Sequence, residues 1–305
     1  MEIRILHFYP DLMSLYGSYA NVSILKRTLE ELGNTVTVER VELGGDADLT
    51  HADFVYMGAG TERAQKAALL NFSKLGDAVK AAADAGVTML FAGNSMELLG
   101  KVFSQEEKAA ALVKFVQDEA AEITARTADI PEDSKPSVYV CGLGNWGTTN
   151  HLMTAENYVS FQIAGVKNVL TDTGTQGIQP IEEEKFVELG DSMDIMIMDA
   201  AAVKNIAPLY QEDPTMFDTC KAWQDGEVYL EMAYNAYYTN FEIALINTWF
   251  IAKTVYPEQF ADINLTTKTN EVTKAFLGQE LADAIFACPS SFGGYQKIDT
   301  ASFFG

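Results

Sequence analysis

The chain has 305 residues, 48% of them hydrophobic and 11% aromatic, which is more than one core usually fills and ample material for two. Its formal net charge of −22 repels phosphate backbones and anionic membrane surfaces, so no nucleic-acid partner is expected, while neutral or cationic ligands stay open. Cys141, Cys220 and Cys288 are odd in number, widely spaced and without a C-x-x-C pair. Neither a zinc cluster nor a disulfide framework is expected, and all three read as buried thiols.

The opening MEIRILHFYPDL enters a strand at once, without a charged segment, apolar run and cleavage site in succession. No run approaches eighteen apolar residues, so no membrane span is expected. The sequence as written implies a cytoplasmic protein, or an extracytoplasmic one if a leader has been removed or replaced. Residues 3–8 read as a buried strand, and residues 19–32 as a helix with Val22, Leu25, Leu29 and Leu32 on one face and Gly33 closing it. Residues 35–41 and 54–57 come next as strands, 71–85 as a helix and 87–92 as a strand. Strands alternating with helices predict a parallel, doubly wound sheet.

Two loops lie just after strand ends, where ligands bind in such sheets: Gly58-Ala59-Gly60-Thr61-Glu62-Arg63 and Gly93-Asn94-Ser95. The segments HFYPDLMSLYGSYANVSILKR, YMGAGTERAQ and LFAGNSMELLG, in that order and spacing, resemble the first half of a class I glutamine amidotransferase domain of the cobyric-acid-synthase type. That resemblance covers about residues 1–100. It implies a nucleophile elbow with a cysteine four residues before a glutamine. Glu97 stands at the glutamine position, which puts Gly93 at the cysteine position, and a glycine has no side chain to attack an amide. Ser95 lies two residues beyond the position that the elbow exposes. Gly58, Gly60, Gly93, Asn94, Ser95 and Glu97 therefore form a degenerate amidotransferase site, no catalytic residue is assigned, and the protein is expected not to be an enzyme.

From Ser104 to Thr127 the residues Ala109, Leu112, Val113, Val116, Ala120 and Ile123 mark one stripe of a helix roughly 35 Å long. Ser104 and Glu107 are spaced as a capping box, and Pro131 ends the helical run. Further on, SVYVC (137–141), a short strand near 168–170, DIMIM (194–198) and GEVYL (226–230) read as strands. Helices are predicted at 182–189, 201–210, 214–219, 240–256 and 270–277. In the helix at 240–256, Phe241, Ala244, Leu245, Thr248 and Ile251 are expected to face inward.

Three pieces carry a second resemblance: KPSVYVCGLGNWGTTNH, MDIMIMDAA, and the run from AWQDGEVYLEMAYNAYYTNFEIAL to YPEQF. With the long helix before them, residues 98–299 resemble type III substrate-binding proteins of ABC importers for iron siderophores, haem and corrinoids. That resemblance implies two lobes joined by a helical strut, a small-molecule ligand held between them, an ABC permease as partner, and no cofactor beyond a bound iron complex, haem or corrinoid. Its ligand-binding loops fall on Asn145, Trp146, Asn150 and His151, and on Tyr234, Asn235, Tyr237, Tyr238 and Asn240. Tyrosine and tryptophan suit flat ligands and amides orient them.

The expected architecture is α/β, with two Rossmann-like sandwich lobes of parallel sheet joined by one long helix. Its parts are an amidotransferase-like lobe (1–100), a connecting helix (101–130) and a substrate-binding lobe (131–305). Ligand binding without catalysis is the expected function. The alternatives are a catalytically dead amidotransferase-like subunit and a natural or engineered chimera with no complete site. No metal site is assigned.

Overall fold

The computed structural model describes residues 1–305 apart from Tyr16, residues 145–149, Thr175, Tyr237 and Gly305, with Ala236 and Tyr238 described by their backbone. Two compact units result, Met1–Ala111 and Leu112–Gly305.

The first unit holds β1 (Glu2–Phe8), α1 (Ser18–Glu31), β2 (Thr35–Val41), β3 (Phe54–Met57), α2 (Glu62–Phe72), α3 (Gly76–Asp84), β4 (Thr88–Phe91) and α4 (Met96–Val102). Its sheet has the order β2-β1-β3-β4 and every pairing is parallel. Because the carboxyl-terminal half of β1 is covered on both faces, consecutive residues there are buried, with Ile5, Leu6 and Phe8 fully so and His7 nearly so. Leu6, Phe8, Val55 and Met57 pack with Phe72, Val79 and Leu98 on one face, while Ile5 and Tyr56 meet Val22 and Val36 on the other.

The single helix predicted over 71–85 is two helices, with a 3₁₀ turn at Ser73–Leu75 between them. The first of these, α2, begins earlier because the Thr61 hydroxyl accepts from the Ala64 N–H and caps it. Its buried positions are Ala64, Gln65, Ala68 and Phe72, of which only the last is a large apolar residue, so the first two turns leave a weak apolar signal in the sequence.

The long helix is α5 (Glu106–Thr127), and the boundary between the two units falls inside it. The capping box is not formed. Ser104 has φ 53° and closes the turn after α4, so the first helical bond is accepted by the Gln105 carbonyl from the Ala109 N–H. Glu119, Ile123 and Thr127 are the buried residues of α5, whereas Val113 in the expected stripe is 56% exposed.

The second unit contains β5 (Ser137–Cys141), β6 (Met153–Ala155), α6 (Val159–Ala164), β7 (Lys167–Asn168), β8 (Ile178–Pro180), α7 (Glu183–Leu189), β9 (Ile195–Asp199), α8 (Val203–Glu212), α9 (Lys221–Gln224) and β10 (Val228–Glu231). After these come β11 (Asn235–Ala236), β12 (Tyr238–Thr239), α10 (Phe241–Val255), α11 (Leu265–Leu277), α12 (Ala282–Phe286), β13 (Gln296–Lys297) and α13 (Thr300–Phe304). The main sheet runs β13-β10-β9-β5-β7, parallel except for β13.

Alternation along its strands separates two cores. Val138, Val140, Ile195 and Ile197 face Phe161, Ile246 and Trp249, while Tyr139, Cys141, Met196 and Met198 face Phe186, Phe217 and Trp223. The α/β architecture with two parallel-sheet units is therefore as the sequence predicts. Three details differ: residues 214–219 form turns, Phe241 is 71% exposed, and Cys288 is exposed while Cys141 and Cys220 are buried.

Candidate functional site

In the first unit the strand order reverses between β1 and β3, which is where an open α/β sheet leaves a crevice at its strand ends. Here the chain itself fills that region. The Leu15 N–H donates to the Ala59 carbonyl at 2.9 Å, and the Ala59 N–H donates to Ser18 Oγ at 3.2 Å. A Cβ on Gly58 would stand 2.3 Å from the Met13 carbonyl oxygen, so only glycine permits that approach.

The second loop is locked onto the first. Gly60 N–H donates to Asn94 Oδ1 at 3.0 Å, and Asn94 Nδ2 returns a bond to the Gly60 carbonyl at 2.8 Å. Gln65 Nε2 donates to the Asn94 carbonyl and to Glu97 Oε2, at 2.9 and 2.6 Å. The structure thus brings Gly58, Gly60, Gly93, Asn94, Ser95 and Glu97 into one braced turn. Gly93 sits at the strand-to-helix step after β4 with φ 57°, and a Cβ there would lie 2.9 Å from Ala59 Cβ. Ser95 is fully buried, its hydroxyl donating to the carbonyls of Ala92 and Met57.

In the second unit the strand ends carry charge. Glu231 and Asp199 are register partners at the carboxyl ends of β10 and β9, and the alternation of those strands turns both towards the Trp249 side of the sheet. They are 0% and 1% exposed. Glu231 Oε1 accepts from the Tyr158 hydroxyl at 2.9 Å, and Asp199 Oδ1 accepts from the Ala201 N–H at 2.7 Å. Glu231 Oε2 and Asp199 Oδ2 have no partner among the described residues. Burial pushes the Asp199 carboxyl up to about 7, and burial together with the neighbouring Asp199 raises Glu231 well above the usual carboxylate range.

On the same face lies a cavity of about 630 Å³. Leu112, Val113 and Val116 of α5 line it, with Tyr158, Val159, Ile163, Tyr234, Phe241, Leu245 and Phe276. Among the described residues its polar lining consists of uncharged groups such as Asn157, Ser160 and Thr248. The volume falls in the range of small-molecule sites.

Of the residues that the sequence singled out as ligand-binding, Tyr234 is the one that lines this cavity among the described side chains. Asn145, Trp146 and Tyr237 lie outside the described residues, and so does the side chain of Tyr238. Asn235 Nδ2 donates to the Gly144 carbonyl at 2.7 Å, bracing one loop against the other. Asn240 is exposed and starts α10, its carbonyl accepting from Ala244.

Asn150 and His151 are elsewhere. Asn150 Oδ1 accepts from the Leu152 N–H, and His151 is buried on the opposite face of the sheet, its ring centroid 4.8 Å from Phe186 and 5.2 Å from Phe217. Burial holds the His151 imidazole below its ordinary value, with Nε2 lying 3.4 Å from Glu183 Oε2. Asp199, Glu231 and Tyr158 were not anticipated. The signal for the first two is an acid directly after each buried strand, DIMIMD and VYLE, but their pairing depends on strand register.

Residues 4–117 match the profile of the CobB/CobQ-like glutamine amidotransferase domain. The match passes the expected limit near residue 100 and runs into α5. Among characterised proteins the chain is similar to the lipid II isoglutaminyl synthase (glutamine-hydrolyzing) subunit GatD of Streptococcus pneumoniae (strain ATCC BAA-255 / R6), 39% identical over 61 residues, which are 20% of this chain and 24% of that protein. It is also similar to the subunit of the same name from Staphylococcus aureus (strain N315), 24% identical over 165 residues, covering 52% and 67% of the two chains. The chain thus spans about a quarter of the length of the first of these relatives.

Solved structures similar to it include a periplasmic solute binding protein from Veillonella parvula DSM 2008, with 18% identity, TM-score 0.49 and coverage of 92% of this chain and 82% of that one. A second is the molybdate periplasmic binding protein MolA of Haemophilus influenzae, with 16% identity, TM-score 0.48 and coverage of 92% and 72%. The amidotransferase resemblance seen in the sequence thus has a counterpart in the matched domain and in both relatives. The expectation that the protein is not an enzyme is corrected: the matched domain is a glutamine amidotransferase domain and both relatives are named as glutamine-hydrolyzing subunits, findings that contradict an expectation resting on the absence of a side chain at Gly93. Among the described residues no helix is long and apolar enough to cross a membrane.

Proposed function

We propose that the protein binds a small, largely apolar molecule in the cavity of its second unit. The observation that carries this reading is the cavity itself, a space of about 630 Å³ whose lining holds no charged side chain among the described residues. Phe241, Val113 and Val159 belong to that lining and yet are 71%, 56% and 62% exposed, which is costly for large apolar groups unless a ligand covers them. Of the ligand classes that the sequence suggests, haem, ferric siderophores and corrinoids, the lining suits an organic periphery rather than direct capture of iron, since among the described residues it contains no histidine, cysteine or carboxylate and burial holds the phenols of Tyr158 and Tyr234 protonated.

Titration with haem, a ferric siderophore, a corrinoid and an apolar fluorescent probe, monitored by tryptophan emission and calorimetry, tests it. At least one should saturate, and Ala244→Trp, which fills the cavity, should weaken that binding at least about tenfold while the far-ultraviolet circular dichroism is unchanged. Equal affinity in the filled variant would refute the site.

The first unit supports a second reading, glutamine amidotransferase-type chemistry. The observation favouring it is the positive-φ turn at Gly93, braced against the Gly58–Gly60 loop, because a nucleophile elbow uses a sharp strand-to-helix turn of that kind. Release of ammonia from glutamine measures it. The double variant Gly93→Cys/Ala59→Gly, which supplies a thiol and removes the methyl group in its way, should raise the rate at least about tenfold, the low end of what a positioned catalytic group contributes. No increase over the unsubstituted protein would count against an elbow at Gly93.

A further inference from the structure

The cavity and the carboxyl pair are not separate features. Tyr158 lines the cavity, and its hydroxyl proton is committed to Glu231, so its oxygen lone pairs are left to accept from elsewhere. Tyr234, which also lines the cavity, lies beside Tyr158 with the two ring centroids 6.2 Å apart. Two neutral phenols therefore stand between the cavity and two buried carboxyls, each of which has one oxygen lacking a partner among the described residues. Phe241 and Phe276 add two more aromatic rings to the lining. Among the described residues no lysine, arginine or histidine lines the cavity to neutralise the field of an ionised carboxyl behind this wall.

We propose that the ligand is an organic cation, a compact apolar body carrying one ammonium group that sits against the aromatic wall formed by Tyr158 and Tyr234. This rests on the reading that the cavity binds a small molecule. An apolar body satisfies the aliphatic lining, and the positive head is the one charge type that both the aromatic faces and the carboxyl pair favour. A ligand anion would meet the same field with the opposite sign, in a protein already carrying −22.

Protonation sets the strength of the preference. Tyr158 before α6, Tyr234 after β10, Tyr295 before β13 and Cys141 at the end of β5 are the titratable groups acting on the pair, and burial holds all four neutral far above neutrality. The carboxyl pair therefore governs. Lowering the pH neutralises it and weakens the cation, whereas raising the pH strengthens it.

Calorimetric titration of the full chain with hexyltrimethylammonium, 1-hexanol and hexanoate at pH 8 in 0.15 M salt tests the proposal. The cation should bind at least about tenfold more tightly than the alcohol, and hexanoate more weakly than either. The cation's advantage should shrink at pH 6. Glu231→Gln and Asp199→Asn should each bring cation and alcohol within about threefold of one another by weakening the cation. Tyr158→Phe, which keeps the ring and cuts the link to Glu231, should narrow the same gap and serves if a carboxamide variant does not fold. Equal affinity for cation and alcohol, or a preference that survives all three substitutions, overturns the organic-cation assignment while leaving the cavity a binding site. Absence of binding by all three probes and by those of the earlier titration overturns both.

Discussion

The two units share one topology, a parallel sheet with helices on its faces, and differ at the carboxyl ends of their strands. In the first, small residues let the loops close on themselves: Gly58 admits the Met13 carbonyl, Ala59 bridges to Leu15, and Asn94 ties the two loops together. In the second, large rings and two acids occupy the same region, and a cavity remains beside them. Side-chain volume after the strands decides whether a parallel sheet ends in a plug or in a pocket, and strand order does not.

The largest expected effect concerns the acids. Asp199 has its folded value near 7 against an ordinary 3.8, so the folded state holds a proton that the unfolded chain releases between those values. Stability is therefore highest at about pH 4, falls as pH rises through about 7, and stays low above it, with a contribution of up to about 4 kcal/mol. Asp199→Asn, which keeps the acceptor for Ala201, should match the parent at pH 4.5 and exceed it at pH 8 in urea denaturation. A difference independent of pH would mean that the carboxyl is ionised and paired in the folded protein.

Next comes the plug. Gly58→Ala drives a methyl group into backbone at 2.3 Å and should cost about 3 kcal/mol, seen as an earlier transition of the first unit while the second keeps its own. A neutral substitution would show that the loop relaxes and that the closed end is not rigid.

The smallest effect lies away from both strand ends. Glu119 of α5 accepts from Trp249 Nε1 at 2.7 Å and pairs with Lys268 at 3.3 Å, with Lys268 Nζ 4.5 Å from the Trp249 ring centroid. Glu119→Ala strands a buried indole N–H and leaves the Lys268 ammonium with Glu271 as its remaining ion-pair partner, 2.8 Å away, and should cost about 2 kcal/mol by denaturant titration. Because Leu112, Val113 and Val116 of the same helix line the cavity, this variant should also weaken ligand binding. Unchanged binding would separate the cavity from the anchoring of α5.

Much of the fold was legible because it rests on local rules. Apolar-rich runs such as IRILHF and SVYVC are strands covered on both faces, and glycines at 33, 86 and 165 stand where helices or turns need positive φ. The turn after β4 was legible too, since Gly93, Asn94 and Ser95 are contiguous and their turn is a local event. The first turns of the helix beginning at Glu62 were missed because the face they bury consists of Ala64, Gln65 and Ala68, and the capping box at Ser104 failed because the preceding helix required a left-handed residue there.

By itself the sequence determined the two parallel α/β units, the long helix at their boundary and the lack of a nucleophilic side chain at position 93, all set by residues near one another in the chain. Tertiary structure alone decided the rest. Asp199 and Glu231 are 32 positions apart and meet only through strand register, Tyr158 reaches Glu231 from a different loop, and the cavity takes its walls from segments spread between Leu112 and Phe276. No local rule constrains which distant side chains share one face of a sheet, so the pocket, unlike the strands that support it, exists only once the chain has folded.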